Sequence, residues 1–342
     1  MQFIILEQEL KDYRIPVYEK IDKCISDKVL LYYWKKKSNT SFNVLNETDV
    51  NVKCKGIGVL RLKDKLFLPN YFFKNIFKKN NTVLVRGNIR NLFLIPILIL
   101  GRLKGIKIIV SGHGYSKNRT LKPYYNILDF LYLLIIKLSN AYVVYDENTQ
   151  AKLRQYVKSN KIFVANNTLD TDKEFKYLEQ LEKFSVNRIK KDLNIKYSIT
   201  LGFISRLVKR KEVDYLLDVF KELNKEISDI GLYIIGKGPE YNNLLNKIRT
   251  EEIYNVELIG AKYGYEAAKY LYVFNIVIIP WIAGLTVNHS FIYGTPVITQ
   301  CKNGKTIGHP PEVNNIIHKF NGWFAEYNDK RDMIQGIHEI IN

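Results

Sequence analysis

The sequence predicts an α/β protein built from two doubly wound, parallel-sheet domains in series. Three observations carry this. Short runs of β-branched and aromatic residues alternate with longer helical patterns through both halves. The 342 residues leave room for two domains of ordinary size. Apolar residues make up 46% of the chain, enough to fill two cores and too many for a disordered chain.

In the first half, strand patterns fall at 3–6, 29–33, 58–62, 83–86, 107–111, 141–145 and 162–165. Helical patterns lie between several of them, at 16–25, 70–77, 92–102, 124–138 and 147–157. Strands alternating with helices argue for a parallel sheet covered on both faces. The stretch 53–68 departs from the alternation and reads as extended structure near the third strand. The second half is more regular. Strands are expected at 199–204, 231–235, 256–259, 276–280 and 296–299, and helices at 213–225, 240–249, 265–273, 285–293 and 330–341. Residues 170–194 are highly charged and poor in β-formers, which reads as a linker plus a helix. The expected division is an N-terminal domain at 1–170, a linker and helix at 171–195, a C-terminal domain at 196–325 and a closing helix at 326–342.

Several classes are excluded by composition. The three cysteines, Cys24, Cys54 and Cys301, are scattered, so neither a disulfide framework nor a zinc knuckle is readable; this fits a reducing compartment. The apolar start of the chain is too short for a signal peptide, since Glu7 and Glu9 follow at once. The apolar stretches 92–100 and 127–138 fall short of the roughly 20 residues that span a bilayer and read as buried helices. A cytoplasmic location is expected.

The charge is lopsided. Residues 1–170 hold 29 Lys+Arg against 13 Asp+Glu, and residues 171–342 hold 23 against 21, for a total of +18. A basic half joined to a near-neutral half suits a polyanion, an anionic membrane surface or a phosphate-bearing substrate. A solvated lysine-rich surface is the plainer alternative. Phe72, Phe73 and Phe77, interleaved with Lys74, Lys78 and Lys79, would suit a helix lying on a membrane surface.

In doubly wound sheets ligands bind beyond the carboxyl ends of the strands, so the residues after each strand are the candidates. Ser205, Arg206 and Lys211 occupy a turn that carries four cations within six residues. A forked guanidinium plus a point ammonium suit a diphosphate, and the following helix start adds its dipole. Gly236-Lys237-Gly238-Pro239 lets the backbone turn tightly or approach a ligand, but it is not a dinucleotide fingerprint. Tyr263 stands after the next strand, where a nucleotide base would find a ledge. Gly284, Leu285 and Thr286 open a helix whose free amides suit a phosphate; His289 lies one turn in, and Gly294 is a natural stop. In the first half, Ser111-Gly112-His113-Gly114 exposes a histidine at a strand end.

In order and spacing these pieces resemble the retaining glycosyltransferases of the GT-B fold, family 4. The similarity is strongest at 199–324. It rests on Ser-Arg-Leu…Lys at 205–211, Gly-Lys-Gly-Pro at 236–239, Tyr-Leu…Pro at 270–280, Gly-Leu…Tyr-Gly-Thr-Pro-Val-Ile at 284–298 and Asn-Gly-Trp-Phe at 321–324. The resemblance implies two facing Rossmann-like domains with a cleft between them. It assigns Arg206 and Lys211 to the donor diphosphate, the Gly284–Leu285 amides to the same group, and His113 to the transferred sugar. It implies no metal ion and no cofactor, because the cations and the helix start carry the leaving-group charge; the absence of an Asp-x-Asp motif agrees.

The chain departs from the family where two glutamates often stand eight residues apart. Aligned on Gly294, those positions are Trp281 and His289. The resemblance is therefore to a subgroup with Gly-Leu…His-Ser…Gly-Thr-Pro and a later Pro311-Glu312, in which His289 takes the ribose contact and Glu312 a polar role nearby. The implied reaction moves a hexosyl unit from a nucleotide sugar to a saccharide or lipid-linked saccharide. A lipid-linked acceptor at the inner face of a membrane, in capsule or lipopolysaccharide synthesis, would explain the basic half. Two other readings stay open: a basic nucleic-acid-binding protein, against which no recognition motif is readable, and a catalytically inactive relative.

Overall fold

A computed structural model describes residues 2–35, 44–62, 66–70, 76–116, 120–167 and 169–342. The chain divides into two compact units, Met1–Asn167 and Thr168–Asn342.

The first unit runs β1 (Gln2–Glu7), α1 (Ile15–Cys24), β2 (Lys28–Trp34), β3 (Cys54–Ile57), β4 (Val59–Leu62), β5 (Leu66–Pro69), β6 (Thr82–Arg86), α2 (Leu94–Leu103), β7 (Lys107–Ser111), α3 (Ile127–Leu138), β8 (Ala141–Val144), α4 (Glu147–Arg154) and β9 (Ile162–Val164). Seven strands form one sheet in the order β3-β2-β1-β6-β7-β8-β9, and every pairing in it is parallel. The chain moves outward from β1 to β3, then returns to the other side of β1 with β6. That reversal makes β1/β6 the topological switch point. Helix starts are locally encoded. Asn126 accepts from the amides of Leu128 and Asp129 to cap α3, and Asp146 accepts from Thr149 to cap α4. Ile4, Leu6, Val83, Val85, Ile108 and Val110 fill the core between sheet and helices.

Two expectations change here. The strand pattern at 58–62 is not the third strand of the sheet. Cys54–Ile57 takes that place beside β2, while β4 pairs with β5 as a separate antiparallel hairpin. The expected helix at 70–77 falls mostly outside the described residues, as do Phe72, Phe73 and Lys74. The apolar stretches at 92–100 and 127–138 become α2 and α3, which bury Leu94, Ile97, Leu98, Leu133, Ile135 and Ile136. Among the described residues no helix is long and apolar enough to cross a membrane.

The second unit runs α5 (Thr171–Leu181), α6 (Val186–Asp192), β10 (Ile199–Ile204), α7 (Val213–Glu226), β11 (Ile230–Ile235), α8 (Tyr241–Thr250), β12 (Val256–Gly260), α9 (Gly264–Val273), β13 (Ile276–Ile278), α10 (Thr286–Ile292), β14 (Val297–Cys301), β15 (Gly322–Glu326) and α11 (Lys330–Ile341). Its sheet has the order β12-β11-β10-β13-β14-β15, with every pairing parallel. The switch point lies between β10 and β13. β11 is buried along its whole length, as a strand covered on both faces must be. The stretch at 170–194, expected as a linker and one helix, forms two helices packed on the second unit. Asp170 caps the first and Ser185 the second, and Leu181 and Ile189 enter the core. Residues 321–324, quoted above as a motif, begin the sixth strand.

Candidate nucleotide-sugar site

The two segments that carried the densest sequence signal meet at the β10/β13 switch point. The Thr286 hydroxyl donates to the Ile204 carbonyl at 3.0 Å, tying the start of α10 to the end of β10. The Lys211 ammonium donates to the Ile282 carbonyl in the loop after β13. Ile282 sits at φ 56°, the left-handed region that a β-branched residue rarely adopts. Such a conformation costs on the order of 1–3 kcal/mol and persists only when its surroundings enforce it. Here Lys211 holds its carbonyl, and the next amide, Ala283 N–H, donates to His309 Nδ1 at 3.2 Å.

Lys211 is only 8% exposed. Burial, with the nearby Arg210 charge, pushes its ammonium down to about 8, and the Glu312 carboxylate acts in the opposite direction. Glu312 is itself buried, on a short 3-10 turn at Pro311–Asn315. The structure thus places Glu312 within electrostatic reach of Lys211. His309 is buried too, and burial and the Lys211 charge push it down to about 4, so it is neutral at physiological pH. Trp281 packs edge-on against His309 and Tyr327, at ring separations of 4.5 and 5.0 Å, and Lys302 caps the Tyr327 ring at 3.8 Å.

Arg206 contrasts with Lys211. It is exposed, and its guanidinium has no hydrogen bond or ion pair among the described residues. The turn that carries it is knitted to the loop after β11. Leu207 N–H donates to Lys237 at 3.0 Å, and Glu240 N–H to Leu207 at 3.2 Å. This explains both glycines of the Gly-Lys-Gly-Pro run. A Cβ on Gly236 would lie 1.9 Å from the Ser205 carbonyl oxygen, and one on Gly238 would lie 2.0 Å from that of Leu207. Their spare room is taken by this backbone packing, which leaves Lys237 as the exposed charged side chain of the run. Gly284 differs: a Cβ there would meet only the Pro310 ring, at an ordinary 3.6 Å. Tyr263 is exposed beyond β12, two strands from the switch point.

His289 is not left open to solvent alone. Its Nδ1 lies 3.6 Å from the Glu174 carboxylate on α5, and the Tyr293 hydroxyl donates to the same carboxylate at 2.7 Å. Burial alone would raise the Glu174 carboxyl; the His289 hydrogen bond and charge, and then Tyr293, bring it below the usual value. Glu174 and His309 were both missed from sequence. The first sits in the segment taken as linker, and the second immediately precedes the Pro-Pro-Glu run of which only the end was singled out.

In the first unit, His113 is exposed on the loop after β7, between glycines. Gly114 has φ 72°, and a Cβ on Gly112 would sit 3.1 Å from the Tyr142 hydroxyl, so both glycines are needed to shape this loop. The His113 ring stands edge-on to Tyr145 at 5.1 Å. Among the described residues, no three His, Cys, Asp or Glu side chains gather as ligands of a metal ion would.

Residues 198–342 match the family model described as "Glycosyl transferases group 1". Over 278 residues the chain is 23% identical to an uncharacterized glycosyltransferase of Methanocaldococcus jannaschii, covering 74% of this chain and 76% of that one. The second unit is thus similar to glycosyltransferases of the group 1 type. A 41.2 kDa protein from the cps region of Klebsiella pneumoniae is 27% identical to this chain, over 52% of it and 45% of that protein's own length. Among solved structures, Anabaena HepE in complex with UDP matches with a TM-score of 0.70 at 12% identity, covering 100% of this chain and 90% of that one. Sucrose-phosphate synthase from Thermosynechococcus elongatus matches with a TM-score of 0.66 at 13% identity, with the same coverage. The fold is therefore GT-B, with two Rossmann-like units in one chain.

Proposed function

We propose that the protein transfers a hexosyl unit from a nucleoside-diphosphate sugar to a hydroxyl of a glycan or lipid-linked saccharide, with retention at the anomeric carbon and without a metal ion. The observation that carries this reading is the cation pair at the β10/β13 switch point. Lys211 is buried and fixed on the strained Ile282 loop, while Arg206, on the same turn, has its guanidinium uncommitted. A fixed ammonium and an open fork suit a diphosphate, whose charge grows as the sugar departs. The Gly284, Leu285 and Thr286 amides would meet the same group. Ser205, Gly236, Lys237 and Gly238 frame the site, and Tyr263 offers a base-stacking face.

His289, held at Nδ1 by Glu174, would present Nε2 to the ribose. Glu312 would tune Lys211 rather than touch the sugar. From the family resemblance we assign His113 to the transferred hexosyl group. Support for the donor class comes from HepE, whose structures contain UDP and UDP-glucose. Support for cell-surface polysaccharide synthesis comes from the Klebsiella relative of the cps region.

We place the protein in the cytoplasm, on the inner face of the membrane. The first unit exposes Tyr124 (81%), Tyr125 (90%), Ile127, Leu128 and Phe130 around the start of α3. Lys122 is exposed just ahead of them, and the Tyr124 ring lies 6.2 Å from that of Tyr156, just past α4, which carries the exposed Lys152 and Arg154. Aromatic side chains beside lysines suit an anionic lipid surface.

The test is slow release of nucleoside diphosphate from a panel of nucleotide sugars, read with binding of the free nucleoside diphosphates. The reading expects one donor to be hydrolysed or transferred and its diphosphate to stabilise the protein. Neither turnover nor stabilisation with any member of the panel would overturn it.

A further inference from the structure

The switch point of the first sheet holds a charge cluster to which donor chemistry assigns no task. Glu7 ends β1 and Arg86 ends β6, and the register Leu6 to Val85 sets the two side by side. Arg14 reaches the same point from the residue that precedes α1. The Glu7 carboxylate is buried and accepts the Tyr18 hydroxyl and, at 3.0 Å, the Gln8 amide. It faces Arg14 at 3.6 Å and Arg86 at 4.0 Å. Both separations exceed an N–H···O hydrogen bond. One carboxylate therefore offsets two guanidiniums without occupying their forks. Arg86 spends one NH on the Tyr145 hydroxyl and a long contact of 3.5 Å to Ser111, and Arg14 spends its Nε on Tyr13. Lys11 lies close enough to feel Glu7, Glu9 and both arginines, so among the described residues three cations face two carboxylates.

An excess positive charge in a largely buried setting is costly unless an anion joins it. The arginine side chains are not sealed, being 15% and 19% exposed. The location is also the one at which doubly wound sheets bind ligands. The His113 loop leaves the neighbouring strand, β7, and the Tyr145 ring that meets His113 edge-on carries the hydroxyl that Arg86 holds.

We propose that Arg14 and Arg86 form an anion subsite in the first unit, which binds a phosphate or carboxylate group carried by the acceptor. The acceptor role rests on the transferase reading above; the anion site itself does not. A guanidinium pair binds such a group through charge-assisted, bidentate hydrogen bonds. With its anion anchored one strand away, an acceptor would be oriented with a hydroxyl toward His113.

The experiment titrates inorganic phosphate, an alkyl phosphate and a uronic acid against the full chain, following thermal stability and heat of binding. The background is Arg206→Gln/Lys211→Met, so that the donor site does not compete. Binding of phosphates alone would identify a phosphorylated acceptor, and binding of the uronate alone an acidic sugar; either supports the subsite. Adding Arg14→Gln or Arg86→Gln should weaken the binding at least about tenfold. Arg86 is wedged between Glu7 and Tyr145, so if Arg86→Gln fails to fold, Arg14→Gln decides. No binding of any probe, or binding unchanged by Arg14→Gln, overturns the proposal. In otherwise unaltered protein, Arg14→Gln should leave nucleoside diphosphate binding intact. Loss of donor binding in the parent protein would sink the transferase reading instead and leave the anion result standing.

Discussion

The Lys211 ammonium holds the carbonyl of Ile282, a β-branched residue in the left-handed region at φ 56°. One side chain thus fixes the loop after β13 and would present charge at the proposed donor site. Lys211→Met removes both effects. Nucleoside diphosphate binding should weaken by about a hundredfold or more, since a charge-assisted contact is lost and the loop that carries Gly284 loosens. Isothermal titration measures it; an affinity within about threefold of the parent would remove Lys211 from the clamp.

The same lysine would give the proposed donor site a pH dependence. Its folded-state value is about 8, against an ordinary 10.5. Below 8 the ammonium is charged and, in the proposed role, would grip the diphosphate. Above 8 the free protein must first take up a proton, so the dissociation constant should rise by up to about tenfold per pH unit. For stability the sign is opposite. Between 8 and 10.5 the unfolded chain holds more protons at this residue, so this contribution to stability rises with pH there. Titrations of nucleoside diphosphate between pH 7 and 9.5, repeated on Lys211→Met, separate the two: the variant should show a flatter profile.

The glycines around the site divide by what an added methyl would meet. Gly236→Ala drives a Cβ to 1.9 Å from the Ser205 carbonyl oxygen, so it should destabilise the protein by about 2–4 kcal/mol by forcing the two loops apart. Gly284→Ala has ordinary room within the protein and should melt within about 1 kcal/mol of the parent. If the proposed site is right, it should still weaken nucleoside diphosphate binding, because the methyl group would stand where the diphosphate is proposed to approach the backbone. Denaturant unfolding and titration on the two variants check both halves. Equal destabilisation would mean that Gly284 serves packing alone.

How far these features were legible in the sequence depends on how local their causes are. The basic turn at 205–211 could be read because four cations in six residues are a local signal, and Gly294 because helix stops are local. Strand alternation gave both sheets except where pairing overrode pattern. Val59–Leu62 has the better strand composition, yet Cys54–Ile57 lies beside β2 and takes the sheet position. Glu174 was unreadable because its partners are far along the chain: the Tyr293 contact spans 119 residues. In sequence it is one acidic residue in a charged stretch; only the packing of α5 against α10 makes it a buried carboxylate. Ile282 was unreadable for the same reason, since no sequence pattern announces a β-branched residue held at positive φ.

Glu174→Gln tests whether that carboxylate positions His289. The glutamine can still accept from Tyr293 but loses its charge toward the imidazole, so stability at pH 7 should fall by about 1–2 kcal/mol. The Glu174 carboxyl lies below its usual 4.5, so the stabilisation it provides is present above that value and is lost as pH falls through the folded-state value. Acid unfolding curves of parent and variant should therefore converge at low pH. If His289 reads the ribose, the variant should also lose affinity for nucleoside diphosphates more than for pyrophosphate. Equal loss for both would make Glu174 a packing residue and nothing more.

The exposed aromatic group at the start of α3 makes the membrane reading testable apart from catalysis. Tyr124, Tyr125 and Phe130 are exposed, as are Lys122 ahead of them and Lys152 and Arg154 on α4, just past which Tyr156 meets Tyr124. Binding to vesicles that contain anionic lipid should need both the rings and the charges. Replacing the three aromatics with serine should reduce cosedimentation by about tenfold or more, and raising the salt to about 0.5 M should weaken it by screening the lysines. Donor hydrolysis without an acceptor should be unchanged, because these residues lie outside the second unit, where the donor clamp is proposed. Two results would point elsewhere: association of the parent protein with itself at the same concentrations, which would make the patch a contact between copies, and vesicle binding indifferent to the three substitutions.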